Sequence, residues 1–284
     1  MGLFKKIEKE PEFIPSALNT PMLNYHVYYM RGSEKMVNVL LSFLAGGACG
    51  LVFYGGQFRN QDGQPTTLTT IANIVIFIIV GIIVAKAFMP IREKQLIIKR
   101  RNELTRQFRS FLDALSVSLS SGMNMTESLM SSYKDLNNQY SDDSYISKEV
   151  AEMISGVENN VPIETMMQSL GERSDIADIK NFGIVFNICY RVGGNLKDVV
   201  SRTNEILSEK MEINEEIQTA LSSNRTQFTA MMGIPVVMVL MLRMMSSDFA
   251  ASFSTIPGVI SMTIALGIFY AAYRVGQNIM DVRG

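Results

Sequence analysis

Long runs of apolar residues lie near both ends of the chain and predict membrane-spanning helices. Residues 36–56 contain no charge, and a helix of that length, at about 1.5 Å per residue, just crosses a hydrocarbon core of about 30 Å. Residues 67–89 form a second run, residues 227–242 form a third, and no charge occurs between Asp248 and Arg274. The pattern therefore predicts four transmembrane helices, two before and two after a more polar middle segment.

The middle segment, residues 90–225, carries apolar residues at the spacing of amphipathic helices. They include Phe108, Phe111, Leu112, Leu115 and Leu119, followed by Ile146, Val150, Met153, Ile154 and Val157. Helix breakers are expected at Gly122, residues 137–144, residues 156–162, near Gly171 and at the pair Gly193 and Gly194. The segment lacks alternating β-branched runs. It predicts about six helices in an antiparallel bundle, so the predicted fold class is an all-α membrane protein.

Two of these breakers share one local pattern, in SSGMNMTESL at residues 120–129 and RVGGNLKDVV at residues 191–200. Each has a glycine, an asparagine two positions later and an acidic residue three positions beyond that: Gly122, Asn124 and Glu127, then Gly193, Asn195 and Asp198. A glycine can end a helix in the left-handed conformation. Asparagine and the acidic residue then form a capping box on the next helix. The pattern predicts two such turns.

The two turns lie 71 residues apart, and the same offset of 71 residues relates apolar positions on either side of them. It brings Phe111 onto Phe182, Leu115 onto Phe186 and Leu129 onto Val200. Two helical hairpins with matching core positions favour an internal duplication. Similar turn requirements that arose independently are the alternative. A third turn lies between the two hairpins, where Gly156 is expected to end a helix and Pro162, followed by Glu164, to start the next one.

Charge and composition exclude several functions. The formal net charge is -1, which gives no global field to attract nucleic acid. His26 is the single histidine, so a zinc or two-metal site is not expected. The chain contains no phosphate-binding loop of the G-x-x-x-x-G-K-[ST] type. Cys49 and Cys189 are expected to pack as small core residues. The sequence therefore predicts a protein without catalysis, metal or cofactor.

The distribution of Lys and Arg predicts the orientation in the membrane. The basic residues before the first span are Lys5, Lys6, Lys9, Arg31 and Lys35, and those just after the second span are Arg92, Lys94, Lys99, Arg100, Arg101, Arg106 and Arg109. The short connections between spans hold only Arg59 and, at the margin, Arg243. Both termini are thus predicted to be cytoplasmic. The predicted parts are an extended or short-helical arm (residues 1–35), spans (36–89), a cytoplasmic bundle (90–225), spans (226–277) and a tail (278–284).

Three segments of the middle region resemble the type II secretion F domain. They are FLDALSVSLSSGMNMTESL, ISGVENNVPIETMMQSL and FNICYRVGGNLKDVVSRTNEIL. One copy of the domain framed by two spans on each side is similar to the tight-adherence (Flp) pilus platform of the TadB or TadC type. One departure is the pair Arg191 and Val192, where the general secretion branch commonly has Gly-Glu. No acidic or metal-binding role is carried over to that position.

The resemblance implies a platform in the bacterial inner membrane. Its implied partners are a cytoplasmic hexameric secretion ATPase, pilin subunits, and a paralogous platform subunit or further copies of itself. The helices that leave the second span and enter the third are expected to run without a breaker, so that a movement of the bundle would reach the spans as rigid-body motion. A membrane sensor or small transporter is the alternative function.

The surface that would contact the ATPase is harder to predict. Two mixed-charge turns are expected at the exposed ends of the bundle. Their acidic residues are the candidates for this contact: Asp135, Asp142, Asp143, Glu158 and Glu164. Ordinary solvated loops are the alternative interpretation.

Overall fold

The computed structural model of the protein describes residues 10–58, 66–245, 252 and 255–280, with the backbone alone at 220, 221, 223–225, 243, 244, 256 and 277–280. Several residues used in the sequence predictions lie outside this description: the first part of the arm with Lys5, Lys6 and Lys9, as well as Arg59, Asp248, the side chain of Arg243 and residues 281–284. The chain divides into two compact units. Unit 1 comprises residues 1–29 and 93–212, and unit 2 comprises residues 30–92 and 213–284.

Helices dominate the described chain, which confirms the predicted all-helical class. The elements are β1 (Phe13–Pro15), β2 (Pro21–Leu23), α1 (Gly32–Tyr54), α2 (Thr67–Ser120), α3 (Met125–Gln139), α4 (Tyr145–Glu158), α5 (Ile163–Ser174), α6 (Ala177–Val192), α7 (Leu196–Met245) and α8 (Ile256–Met280). The antiparallel pair β1 and β2 lies in the arm, where the sequence predicted only extended or short-helical structure.

Among the described residues, three helices are long and apolar enough to cross a membrane. They are α1, α2, and residues Pro257–Gly276 within α8. The third predicted span corresponds to a shorter apolar stretch, Thr226–Leu242, inside α7. The structure therefore supports several apolar spans, and the count of four stays a prediction.

Glycines in unit 2 bring α1 close to the first part of α2. A Cβ added at Gly47 would lie 2.5 Å from the Phe77 ring, and one added at Gly81 would lie 2.7 Å from the Phe43 ring. The two rings meet edge to face with centroids 5.5 Å apart. These glycines thus serve helix contact. Gly233 differs, since a Cβ there would meet no described atom within 4 Å.

Proline and cysteine positions bear on two predictions. Pro90 lies inside α2 and Pro235 lies inside α7, so a proline that the prediction did not count as a breaker stands where the second span meets the middle segment. The helix nevertheless continues through Pro90, although the proline ring removes one backbone hydrogen bond. Cys49, expected in a core, is exposed, and both described cysteines are free thiols.

The core of unit 1 is built by the periodic apolar positions of its helices. Phe108, Phe111, Leu112 and Leu115 of α2 are fully buried. All six residues of the offset pairs are buried as well: Phe111, Phe182, Leu115, Phe186, Leu129 and Val200. This burial agrees with an internal duplication.

Two predicted breakers are instead close helix contacts. Gly171 lies inside α5, and a Cβ added there would lie 2.8 Å from the Lys180 Cα of α6. Gly156 lies inside α4, and its added Cβ would lie 3.0 Å from Met166 atoms of α5. The prediction of a helix end at Gly156 was wrong, because the missing side chain serves close packing rather than a positive φ. The break predicted near Gly171 follows at Ser174, where α5 ends.

Candidate functional site

The turn between α2 and α3 contains a reciprocal cap. Gly122 has a φ of +85°, and the next amide, Met123 N, donates to Ser118 O at 3.3 Å. Asn124 Oδ1 accepts from Glu127 N at 2.9 Å, and Glu127 Oε2 accepts from Asn124 N at 3.1 Å. Two backbone amides at the start of α3 are thereby satisfied, which is the arrangement of a capping box.

The turn between α6 and α7 repeats the glycine geometry but not the cap. Gly193 ends α6 with a φ of +78°, and Gly194 N donates to Cys189 O at 2.8 Å. Asn195 Nδ2 donates to Asp198 Oδ2 at 2.7 Å. The prediction of a second capping box was therefore wrong: the two side chains bond each other instead of the backbone amides.

The turn between α4 and α5 uses asparagine where glycine was expected. Asn160 has a φ of +59°, and Val161 N donates to Gly156 O at 2.8 Å. Asparagine tolerates this left-handed conformation better than most residues. Pro162 follows as the N-cap of α5, one position before the helix rather than in its first turn.

Residues of all three turn regions line one cavity of about 250 Å³ in unit 1. Met125 and Leu129 come from the start of α3, Val157 from the end of α4, and Tyr190 from the end of α6. Glu164, in the first turn of α5, also lines it. Glu164 is only 7% exposed, so its prediction as an exposed surface candidate was wrong.

The remaining acidic candidates are exposed, although no single surface is defined by them. Asp135, Asp142 and Glu158 are exposed in the described structure. Asp143 is also exposed, and its carboxylate lies 3.0 Å from Lys148 Nζ. Their role in an ATPase contact stays a prediction.

A second polar cluster, which the sequence did not predict, joins the N-terminal arm to the helices of unit 1. Tyr25 is 1% exposed, and its hydroxyl donates to Glu149 Oε1 at 3.0 Å. Arg173 Nη1 and Nη2 donate to the two oxygens of Glu149 at 2.9 and 2.6 Å. Such a buried bidentate pair holds its geometry strongly, because removing one partner leaves a buried charge uncompensated.

Further contacts fasten the arm on both sides of Tyr25. Arg101 Nε donates to Tyr25 O at 3.1 Å, and Arg100 Nη1 donates to Val27 O at 3.1 Å. Ser16 Oγ donates to Glu152 Oε1 at 2.6 Å, and the Thr20 hydroxyl donates to the same oxygen. Residues 10–29 are thus attached to α2, α4 and α5. We call this set of contacts the arm clasp.

Electrostatics of the arm clasp follow from its burial. Burial raises the pKa of the Tyr25 hydroxyl well above its usual value, and the charge of Glu149 raises it further. Burial by itself lowers the pKa of Arg173, but the hydrogen bonds and charge of Glu149 outweigh that effect and raise the pKa. Tyr25 is therefore neutral and Arg173 charged at neutral pH.

Neither cluster has the composition of a metal centre. Among the described residues, no group of three or more His, Cys, Asp or Glu side chains is placed to hold a metal ion. Glu149 is occupied by Arg173 and Tyr25. The arm clasp can hold the arm to the helices of unit 1, and the cavity beside Glu164 can receive a polar group.

Fold and site together define a multi-pass, all-helical membrane protein with a helical unit whose helices are joined by short turns. Residues 111–243 match the model of the family described as type II secretion system (T2SS), protein F. The match begins inside α2 and ends inside α7, and it supports both the predicted resemblance and an inner-membrane location. No curated protein and no solved structure matches the chain significantly.

Proposed function

We propose that the protein is a non-catalytic inner-membrane platform of a tight-adherence (Flp-like) pilus or a related secretion machine. In this function, unit 1 lies in the cytoplasm and binds a hexameric ATPase, and the spans pass its motion to pilin subunits. A paralogous platform subunit or further copies of this chain complete the assembly. The observation that carries the proposal is the family match over residues 111–243.

The paths of α2 and α7 support a mechanical role. The chain passes between the two units at three places, after Tyr29, Arg92 and Glu212. The second place lies inside α2 and the third inside α7. A continuous helix transmits rotation or displacement better than a flexible linker.

Contacts within unit 1 fasten these two helices to each other. Arg109 Nε of α2 donates to Ser208 Oγ of α7 at 2.8 Å. Asn204 Nδ2 of α7 donates to Asp113 Oδ1 of α2 at 3.1 Å. A displacement of unit 1 would therefore act on both helices together.

Glycine insertions test this function. Two glycines inserted between Arg92 and Glu93, or between Glu212 and Ile213, interrupt the helical connection. We expect pilus assembly to be lost while the protein is still inserted in the membrane, as measured by electron microscopy of cells and by membrane fractionation. The same insertion between Gln57 and Phe58, in the connection between α1 and α2, is the control and should leave piliation near the wild-type level.

Association with the ATPase separates this function from the alternatives. A pull-down with the secretion ATPase from the same genome should retain it on the wild-type protein. Solute uptake by proteoliposomes without ATPase association would support a transporter. Normal piliation of both helix-insertion variants would contradict the platform mechanism.

A further inference from the structure

The carboxylate of Glu164 is buried in the folded protein without the hydrogen bonds from other described residues that would offset its loss of hydration. Its carboxylate oxygen Oε2 is buried and has no hydrogen-bond partner among the described residues. Its other oxygen, Oε1, lies 3.7 Å from Arg191 Nε, which is too long for a hydrogen bond. A buried carboxylate oxygen without a partner is unfavourable and calls for an explanation.

The cavity beside Glu164 has the size and lining for one side chain. Its volume of about 250 Å³ falls below the roughly 300–1,000 Å³ of typical small-molecule sites. Met125, Leu129 and Val157 give it apolar surface, Thr126 and Asn160 add polar groups, and Glu164 adds a carboxylate. An apolar stem that ends in a cation is the chemistry that matches such a lining.

Arg191 shows that the site already attracts a guanidinium group without satisfying the carboxylate. Its side chain is 66% exposed, so it can move aside at little cost. A guanidinium that enters from outside can instead place two donors on one carboxylate. Charge complementarity therefore favours a basic residue of another protein as the occupant.

We propose that the cavity formed by the three turn regions is a docking pocket for one arginine side chain of a partner protein. The stem of the arginine would lie on the apolar surface, and its guanidinium would pair with Glu164. The identity of the partner rests on the proposed function: if that function holds, the ATPase supplies the arginine. Binding of an arginine side chain does not itself depend on that function.

A labelled peptide tests the pocket directly. The probe is a fluorescent acetyl-Gly-Arg-Gly-amide, titrated against the full chain in detergent micelles and followed by anisotropy, with the Gly-Gln-Gly peptide as the uncharged reference. We expect the wild type to bind the arginine peptide more tightly than the glutamine peptide. Glu164→Gln should weaken arginine binding about tenfold or more, because a charge-assisted pair is lost.

Two further variants make the result specific. Glu209→Gln removes an exposed carboxylate of α7 and should leave the dissociation constant within about twofold, as surface charges contribute little. Arg191→Gln should tighten binding of the arginine peptide by removing the competing guanidinium. Circular dichroism checks that the variants fold. If Glu164→Gln does not fold, Arg191→Gln, a change at an exposed side chain, still tests the pocket.

Equal binding of both peptides, or an unchanged affinity of Glu164→Gln, would overturn the docking pocket. Weaker binding by Arg191→Gln would overturn it as well. The ATPase pull-down decides the proposed function separately: a wild-type chain that binds the arginine peptide but not the ATPase supports the pocket and contradicts the platform.

Discussion

At the scale of single residues, spacing predicts which groups come near each other but not which atoms bond. Asn124 with Glu127 and Asn195 with Asp198 have the same spacing, yet only the first pair caps its helix through the backbone. Asparagine offers both a donor and an acceptor. An acidic residue three positions on can therefore bind its amide group directly, as Asp198 does, and the choice depends on rotamers that a sequence pattern leaves open.

Tyr25 gives a residue-scale prediction about alkaline pH. Because its pKa is raised in the folded protein, the folded chain keeps this proton at a pH at which the unfolded chain releases it. The stabilisation is complete below the unfolded-state pKa of about 10 and is lost as the pH rises through the folded-state pKa. Tyr25→Phe should lose stability at neutral pH and show a weaker further loss above pH 10.

Denaturant unfolding of the full chain in detergent, monitored by circular dichroism at several pH values, measures this effect. Tyr190→Phe is the matched control, since this tyrosine is 41% exposed. It should keep the wild-type pH dependence. An alkaline decline equally steep in Tyr25→Phe and wild type would contradict the assignment.

At the scale of elements, the apolar periodicity was sufficient to predict helices but not every helix end. The sequence marked Gly156 as a helix end and placed a breaker near Gly171, whereas α4 continues to Glu158 and α5 to Ser174. Glycine serves two purposes, a positive φ or a close approach of two backbones, and composition alone does not separate them. The residues that take the positive φ after α4 and α5 are Asn160 and Asp175, which are not glycine and gave only a weak signal.

Gly171 carries an element-scale prediction. In Gly171→Ala, the new methyl group would lie 2.8 Å from the Lys180 backbone, so α5 and α6 must move apart. Overpacking of this kind destabilises by about 1–3 kcal/mol. Urea unfolding should show this loss for Gly171→Ala. Gly194→Ala, whose nearest contact would be an ordinary 3.4 Å, should change stability by less than about 0.5 kcal/mol.

At the scale of the whole molecule, the arm is the part that the sequence predicted least well. Its residues show no helical or strand periodicity, and the interactions that hold it join Tyr25 to Glu149 and Arg173 far along the chain. Such pairings are tertiary and carry no local signal. Their consequence concerns function, since the clasped arm ends at Tyr29 and α1 begins at Gly32. The arm therefore gives unit 1 a third covalent connection to the spans.

The length of this connection makes its role testable. Two glycines inserted between Tyr29 and Met30 would add about 7 Å of slack, which exceeds the roughly 1–2 Å shifts and the 5.4 Å one-turn steps typical of helix movements in switching proteins. If the arm pulls on α1, this insertion should reduce pilus assembly while the arm clasp and membrane insertion persist. Piliation counted by electron microscopy is the measurement, with the insertion between Gln57 and Phe58 as the control. Wild-type piliation would show that the arm only stabilises unit 1, and that α2 and α7 alone carry the motion.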